Sequence, residues 1–450
     1  MKCVAWRRLR DITQADQPLQ FAYAFRRNVF EPAIVFARTW LTDTESMSQS
    51  SSSSADRVLA HLRDETVIGY TKELVRRASE NPPGSYEDVA GWTKQEFRDM
   101  GLEDVTTVEG EPGRMNVVGR IRGANPESPA LCLASHTDVV SAGDRSKWKY
   151  DPFEPTIVDG VMWGRGVADS KGMLAGMMAA TGAIRESGLP LQGDLYLCAY
   201  VDDETAGPMG LRYVFDQGYI RAESLVLGEA TAFEIQHVFK SRIWFELDVI
   251  GRSAHGAFPE RGINAIDKAM EVIQAIRGLD MGSHPVLGAG TVNVGTLRAG
   301  DQVNVVAGKA TVAFDLRWGP PLSSADIRKR IDEALRIAER ADPELELGEM
   351  RITEIREPLE FPTDSPLIRA LQQAGSEASG RKIGLGGWYS SGELWPVSNG
   401  GHIRYGAVIG PGEPWQAHSY DEQISVAELV EAAKLYALTA VNICRPDKGS

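Results

Sequence analysis

The chain is predicted to be an α/β protein: a doubly wound sheet interrupted by a separate α+β unit. Three observations lead there. Apolar strand-like runs alternate with helix-like runs between residues 130 and 227, and again after residue 354. Between them, residues 240–353 follow the order β-α-β-β-α-β. Strand after strand of the outer part also runs into an imidazole or a carboxylate, and in open α/β sheets ligands bind outside the carboxyl ends of the strands.

Residues 1–55 stand apart. Arg7, Arg8, Arg10, Arg26, Arg27 and Arg38 occur without the apolar stretch of a signal peptide, and Asp11, Asp16 and Glu31 argue against a transit peptide. A serine run from Ser48 to Ser54 follows Met47, so this segment reads as an extension outside the fold or as sequence preceding a true start at Met47. From about residue 56 one helix is expected, with Val58, Leu59, Leu62 and Val67 on one face. A second helix follows Pro82, Pro83 and Gly84 and stops near Gly101. Strand 130–134, helix 173–186 and strands 194–201 and 224–227 then suggest a largely parallel sheet, with residues 56–238 as the first part of the outer domain.

The inserted unit, residues 239–353, opens on Phe245, Leu247 and Val249 alternating with Glu246 and Asp248, a half-buried strand. Ile266, Met270, Ile273 and Ile276 have helical spacing, and Gly278 is the expected stop. Strands 292–297 and 311–317 follow. Ser323 or Ser324 caps a helix carrying Ile327, Ile331, Leu335 and Ala338, and a last strand covers 345–352. This order is ferredoxin-like. Residues 354–450 return to the outer domain, with a strand at 405–409 and a final helix at 426–441.

Composition narrows the function. A formal net charge of −14 argues against nucleic acid as a partner, because phosphate binding needs a basic face. No apolar run approaches the ~20 residues of a membrane helix. Cys3, Cys132, Cys198 and Cys444 are scattered, which gives neither a disulfide framework nor a thiolate metal site. Cys132 and Cys198 lie in apolar runs and read as buried. The expected compartment is the cytoplasm.

The candidate chemistry sits at the strand ends. Strand 130–134 runs into His136 and Asp138, strand 194–201 into Asp202, Asp203 and Glu204, and strand 224–227 into Glu229. Strand 405–409 passes through Gly410, Pro411 and Gly412 to His418, and Asp169 follows the Gly164-Arg165-Gly166 loop. Any one of these alone would be a helix cap or a solvated loop residue. Together they place anions at one sheet edge, where they repel unless cations neutralise them. Nitrogen and oxygen donors without thiolate suit zinc first, then cobalt or manganese. Two histidines and three carboxylates suffice for two ions if one carboxylate bridges them at ~3.5–4 Å.

The stretches SHTDVV, WGRGVADSKG, DDETAG, LGEAT, SAHGAFPERGINAI and GPGEPWQAHSYDE resemble, in order and spacing, the signatures of one metallohydrolase family. That family contains acetylornithine deacetylase, succinyl-diaminopimelate desuccinylase, aminoacylase and glutamate carboxypeptidase. The resemblance covers residues 56–445. It implies a zinc-peptidase-like sheet with a ferredoxin-like lid, and two divalent ions that activate water to cleave the amide bond of an N-acyl amino acid or small peptide. By the same resemblance, His136 and His418 match the ligands of one ion each, Asp169 the bridging carboxylate, and Glu204 and Glu229 the remaining ligands. Asp138 lies two residues after His136, so on an extended strand both point the same way; it matches an aspartate that orients the ligand imidazole or the base, and Asp203 takes the general-base position. Lids of the family pair into homodimers. His255 matches a lid histidine that stabilises the oxyanion in the partner's site, and Asn304 and Arg317 match substrate contacts. Read without the resemblance, Arg317 is a strand residue in a surface ion pair.

Two positions depart from the pattern. Asp203 stands where the family usually has glutamate and is one methylene shorter, so the alternative reading is a silent relative that binds metal and ligand only. Asp202 would face the other side of the strand. Glu393 stands where the family often has an arginine for a substrate carboxylate. Either the substrate is neutral or positive at that end, or Glu393 faces solvent.

Overall fold

In the computed structural model, which describes residues 53–390 and 392–445, the strands Leu131–His136 and Leu195–Tyr200 lie side by side in parallel inside a nine-stranded sheet. Every residue of both strands is buried, as an unbroken apolar run requires when helices cover both faces. The strand order is Glu103–Glu109, Met115–Ile121, Leu195–Tyr200, Leu131–His136, Ser224–Leu227, Tyr405–Val408, Ile235–Phe239 and Leu359–Glu360, with Leu385–Trp388 also paired to Ile235–Phe239.

The centre of this sheet is parallel, but its margins are antiparallel. It is therefore mixed rather than largely parallel as expected. The reason is local: Glu103–Glu109 and Met115–Ile121 are joined by a short turn, and a parallel pairing would need a long crossover.

One face is covered by the helix Lys171–Ser187 and by Val426–Cys444, both buried over most of their length. Gly172 sets how closely the first of these helices meets the loop before it. A Cβ there would lie 2.2 Å from the Val167 carbonyl oxygen. The single helix expected from residue 56 is in fact two, Ser54–Leu59 and Asp64–Arg76. Each starts on its own acidic first turn, the first closed by a capping box between Ser53 and Asp56. Val58 and Val67 are both buried, but in different clusters. Of the expected extension, residues 1–52, with Cys3, lie outside the described residues; Ser53 to Ala55 begin the first helix.

The inserted unit is an antiparallel four-stranded sheet in the order Thr291–Ala299, Lys309–Trp318, Ser241–Ile250, Glu346–Arg356, with helices Ala265–Arg277 and Ser324–Ala341 packed on it. The chain order is the β-α-β-β-α-β read from the sequence. Its last strand runs on to Arg356. Ser323 is the cap, while the Ser324 hydroxyl donates to Glu357. A small sheet of Thr156–Val158, Val161–Trp163 and Gln423–Ser425 brings the chain after His418 against the loop before Asp169. No helix of the described residues is long and apolar enough to cross a membrane.

Two glycine-to-alanine changes test this packing. Gly172→Ala should destabilise the protein by roughly 1–3 kcal/mol through overpacking against backbone. Gly69→Ala, in a helix with nothing near its Cβ direction, should stabilise by about 0.5–1 kcal/mol. Urea denaturation measures both, and equal effects would contradict the packing described.

Candidate active site

The sheet delivers its polar residues to one place because its parallel strands end together. His136 is the last residue of its strand, Asp203 and Glu204 follow Tyr200, and Glu229 follows Leu227 by two positions. His136 Nε2 lies 3.0 Å from Asp169 Oδ1 and 3.4 Å from Glu229 Oε1. His418 Nε2 lies 3.2 Å from Asp169 Oδ2 and 2.9 Å from Glu204 Oε2. Asp169 thus divides its two oxygens between two imidazoles, each with a second carboxylate beside it.

These spacings fit metal ions. Donors placed 2.0–2.1 Å from a tetrahedral ion sit about 3.3 Å from one another. The donor groups that close within 4.8 Å are His136 with Asp169 and Glu204, and His136 with Asp203 and Glu229; His418 Nε2 stands beside Asp169 and Glu204 as a further donor. The set contains only imidazole nitrogen and carboxylate oxygen, which suits a borderline or hard divalent ion.

The electrostatics point the same way. The carboxylates of Asp169 and Glu204 raise His418 to about 10. Burial alone would lower His136, yet Glu229, Asp138 and Asp169 hold it well above the usual imidazole range. Burial, with Asp169 and Asp203 nearby, pushes Glu229 up to about 8. Burial, with Asp138 and Glu204 adding to it, pushes Asp203 up to about 6. The cluster carries more negative charge than its burial tolerates, and protons on the imidazoles offset part of it. Divalent ions would bind the same atoms in place of those protons.

The Asp138 carboxylate turns towards Asp203 and Glu204 rather than the imidazole. The strand ends at His136, so the chain has turned by residue 138. His136 Nδ1 is 2.9 Å from the backbone carbonyl oxygen of Asp138 and 3.6 Å from its carboxylate. The carbonyl orients the ring and leaves Nε2 free for the cluster. The Asp138 carboxylate instead accepts from Asn81 Nδ2 at 3.0 Å and from the backbone N–H groups of Asp203 at 3.3 Å and Glu204 at 3.1 Å. It positions the Asp203–Glu204 pair.

Asp203 faces the cluster. Its carboxylate, His136 and Glu229 offer donor atoms within 4.8 Å of one another, and Tyr200 Oη donates to its Oδ1 at 3.0 Å. Asp202 turns away, buried in an ion pair with Arg114; it lies past the strand end with φ at 67°, so a turn and not strand alternation separates it from Asp203.

Glu422 escaped the sequence reading. It is fully buried, accepting from the backbone N–H groups of Ala168 at 2.8 Å and Asp169 at 3.1 Å, and from Arg165 Nη1 at 2.7 Å. The available signal was Arg165 itself, a cation in a glycine-rich apolar loop that needed a carboxylate. Lys171 acts in a similar way. Its buried ammonium donates to the carbonyl oxygens of Leu74 and Arg77 at the end of Asp64–Arg76. Burial pushes it down to about 7.

A cavity of about 940 Å³ opens beside the cluster, lined by Asp169, Asp203, Glu204, Glu229 and His418 among others. Glu393 also lines it and is only 5% exposed, which removes the solvent-facing reading. Burial, with Asp203 next to it, pushes its carboxyl up to about 8. His255, Asn304 and Arg317 do not line this cavity. His255 is exposed, and its Nδ1 accepts from Ala257 N–H at 3.0 Å. Asn304 lies on the adjoining loop, where its carbonyl accepts from Gly256 N–H at 2.8 Å. Arg317 pairs with Asp315 at 2.7 Å, which is the surface ion pair.

A family model described as Peptidase family M20/M25/M40 matches residues 132–442, more than half the chain. The acetylornithine deacetylase of Pectobacterium atrosepticum is 28% identical over 367 residues, spanning 79% of this chain and 90% of that protein. An aminopeptidase structure from Bacillus cereus matches with a TM-score of 0.70 at 20% identity, covering 85% of this chain and 99% of that one. A Bacillus subtilis structure described as a dinuclear metal-binding peptidase of the M20 family matches with a TM-score of 0.63 at 15% identity, covering 85% and 98%. At these identities the two structures show a shared fold.

Two measurements test the site as built. Glu422→Ala leaves Arg165 buried without its partner and should cost about 3–5 kcal/mol in urea denaturation. In the metal-free protein His418 is raised above its unfolded value of 6.5, so its contribution is fully present below that pH and is lost as pH rises through about 10. Thermal stability of the metal-free chain should therefore fall across that window, while the metal-loaded chain falls less. Parallel pH profiles would contradict the shared use of His418 by protons and ions.

Proposed function

The chain belongs to Peptidase family M20/M25/M40, and on that footing we propose that it hydrolyses the amide bond of an N-acyl amino acid or small peptide with two divalent ions, zinc first among them. His136, Asp169 and Glu229 would hold one ion, and His418, Asp169 and Glu204 the other. The observation that carries this reading is the division of the Asp169 carboxylate between His136 and His418.

When bound, the ions supply positive charge that lowers the pKa of water towards neutrality and polarises the scissile carbonyl. The protein's own residues do the rest. Asp203 accepts the proton of the attacking water and passes it to the leaving amine as the C–N bond breaks. In the metal-free cluster, burial beside Asp138 and Glu204 raises the Asp203 carboxyl to about 6. Tyr200 fixes one of its oxygens, and Asp138 holds its backbone through the N–H. The missing methylene does not take Asp203 away from the cluster, since its carboxylate still meets His136 and Glu229. This favours an enzyme over a silent relative.

We further propose a homodimer formed through the inserted unit, in which the partner's His255 completes the site. The edge strand Thr291–Ala299 is exposed along most of its length, and Met270 on the neighbouring helix is 50% exposed. His255 sits outside its own chain's cavity, close to the exposed Phe258. The free buried thiols of Cys132, Cys198 and Cys444 support a reducing compartment, the cytoplasm.

Chelation should abolish turnover of N-acetyl amino acids and dipeptides, and zinc or cobalt should restore it. Asp203→Ala should lower kcat by about 10²–10⁴-fold with metal content retained. A metal-loaded chain that turns over none of these substrates would overturn the proposal. For the dimer, mixing inactive Asp203→Ala and His255→Ala chains under exchange should recover about a quarter of wild-type activity, because half the chains form mixed pairs with one intact site each. No recovery would place His255 in its own subunit's chemistry or outside it.

A further inference from the structure

Amide hydrolysis by itself leaves the substrate open, and the cavity wall restricts it. Among the described residues that line the cavity there is no arginine and no lysine. Glu393 is buried there; among the described residues no side chain donates to it, and the backbone N–H of Arg212 stands beside its carboxyl. The guanidinium of Arg356 is engaged elsewhere, with Glu354 at 2.7 Å and the Gly392 carbonyl at 3.1 Å. A second, independent feature lies in the same cavity. Gln236 is 5% exposed, and its Oε1 has no hydrogen-bond partner among the described residues. Gly386 packs closely against this amide: a Cβ there would lie 2.7 Å from Gln236 Oε1 and 2.8 Å from Gln236 Nε2. Aromatic and aliphatic surface from Phe239, Leu385 and Trp388 fills the wall between such groups.

In its ionised form Glu393 only accepts, and a cation beside it favours that form over the protonated one that burial alone favours. A carboxylate placed against Glu393 would oppose that ionisation and add negative charge beside Asp203. Burial makes the discrimination large because an unmet acceptor in a dry site is costly.

We propose that Glu393 is a specificity-determining residue that selects substrates carrying an ammonium or guanidinium group near the scissile amide. The proposal rests on the amide-hydrolase reading but is tested separately from it. The charge can lie in either half of the substrate, and two matched pairs distinguish these: N-acetyl-ornithine against N-acetyl-norvaline for the amine half, and alanyl-leucine against N-propionyl-leucine for the acyl half.

In the metal-loaded full-length protein, the charged member of at least one pair should have a kcat/KM about tenfold or more above its neutral partner, and Glu393→Gln should bring that ratio close to one. Glutamine keeps the shape of the side chain and removes only its charge. Ratios near one for both pairs in the wild type, or a preference that survives Glu393→Gln, would overturn the proposal while leaving the hydrolase reading intact.

If the chain turns over none of the four compounds, or if the variant does not fold, binding decides. Calorimetry then compares n-butylguanidinium with the neutral isostere n-butylurea on the wild-type metal-loaded chain. Tighter binding of the cation by about tenfold supports the proposal, and equal affinities overturn it.

Discussion

Glu422 joins two loops that lie 253 residues apart in the chain. Its carboxylate takes the backbone N–H groups that flank Asp169 and the guanidinium of Arg165, all out of water. Asp169 is held from outside the cluster by this bond, not by the sheet that ends at His136. The second loop carries His418 only four residues earlier, so one buried carboxylate fixes both partners of the Asp169–His418 contact. A charge-assisted network of this kind tolerates no partial version. Satisfied, it is rigid; with one member missing, it leaves a buried charge.

Around that anchor the protein gathers like charges. Asp138, Asp169, Asp203, Glu204 and Glu229 converge, although each would be easier to keep in water. The sheet makes the gathering unavoidable, because parallel neighbours end at the same edge and each feeds its next residue into the same crevice. The imbalance has a use. It creates affinity for cations without any one strong ligand.

Much of this was legible in the sequence. The pattern of a strand followed by an imidazole or carboxylate, repeated at His136, Glu204 and Glu229, survives in the structure because both the strands and their ends are local. So does the inserted unit, whose alternating Phe245, Leu247 and Val249 leave little choice of face. What could not be read is what depends on the distant chain. Glu422 looks like an ordinary acid in a polar loop until Arg165 is placed beside it. Asp138 counted as a strand residue until the strand stopped at His136. The helix break near residues 60–63 is hidden by apolar residues whose spacing continues across it. The antiparallel margin needed the length of the 110–114 turn to outweigh the α/β rhythm. His255, Asn304 and Arg317 were placed by resemblance, and one chain by itself keeps them out of the cavity.

The inserted unit leaves the outer sheet just after Phe239 and returns at Leu359, and these two residues are directly opposite each other in an antiparallel pair. Both connections are therefore adjacent, as in a cassette spliced into one corner of the sheet. A short turn would join Phe239 to Leu359 and leave the register of every other outer strand as it is. The two parts can accordingly diverge as separate modules. The outer one is constrained by its crowded charges, and the inserted one is constrained chiefly by whatever surface it must meet.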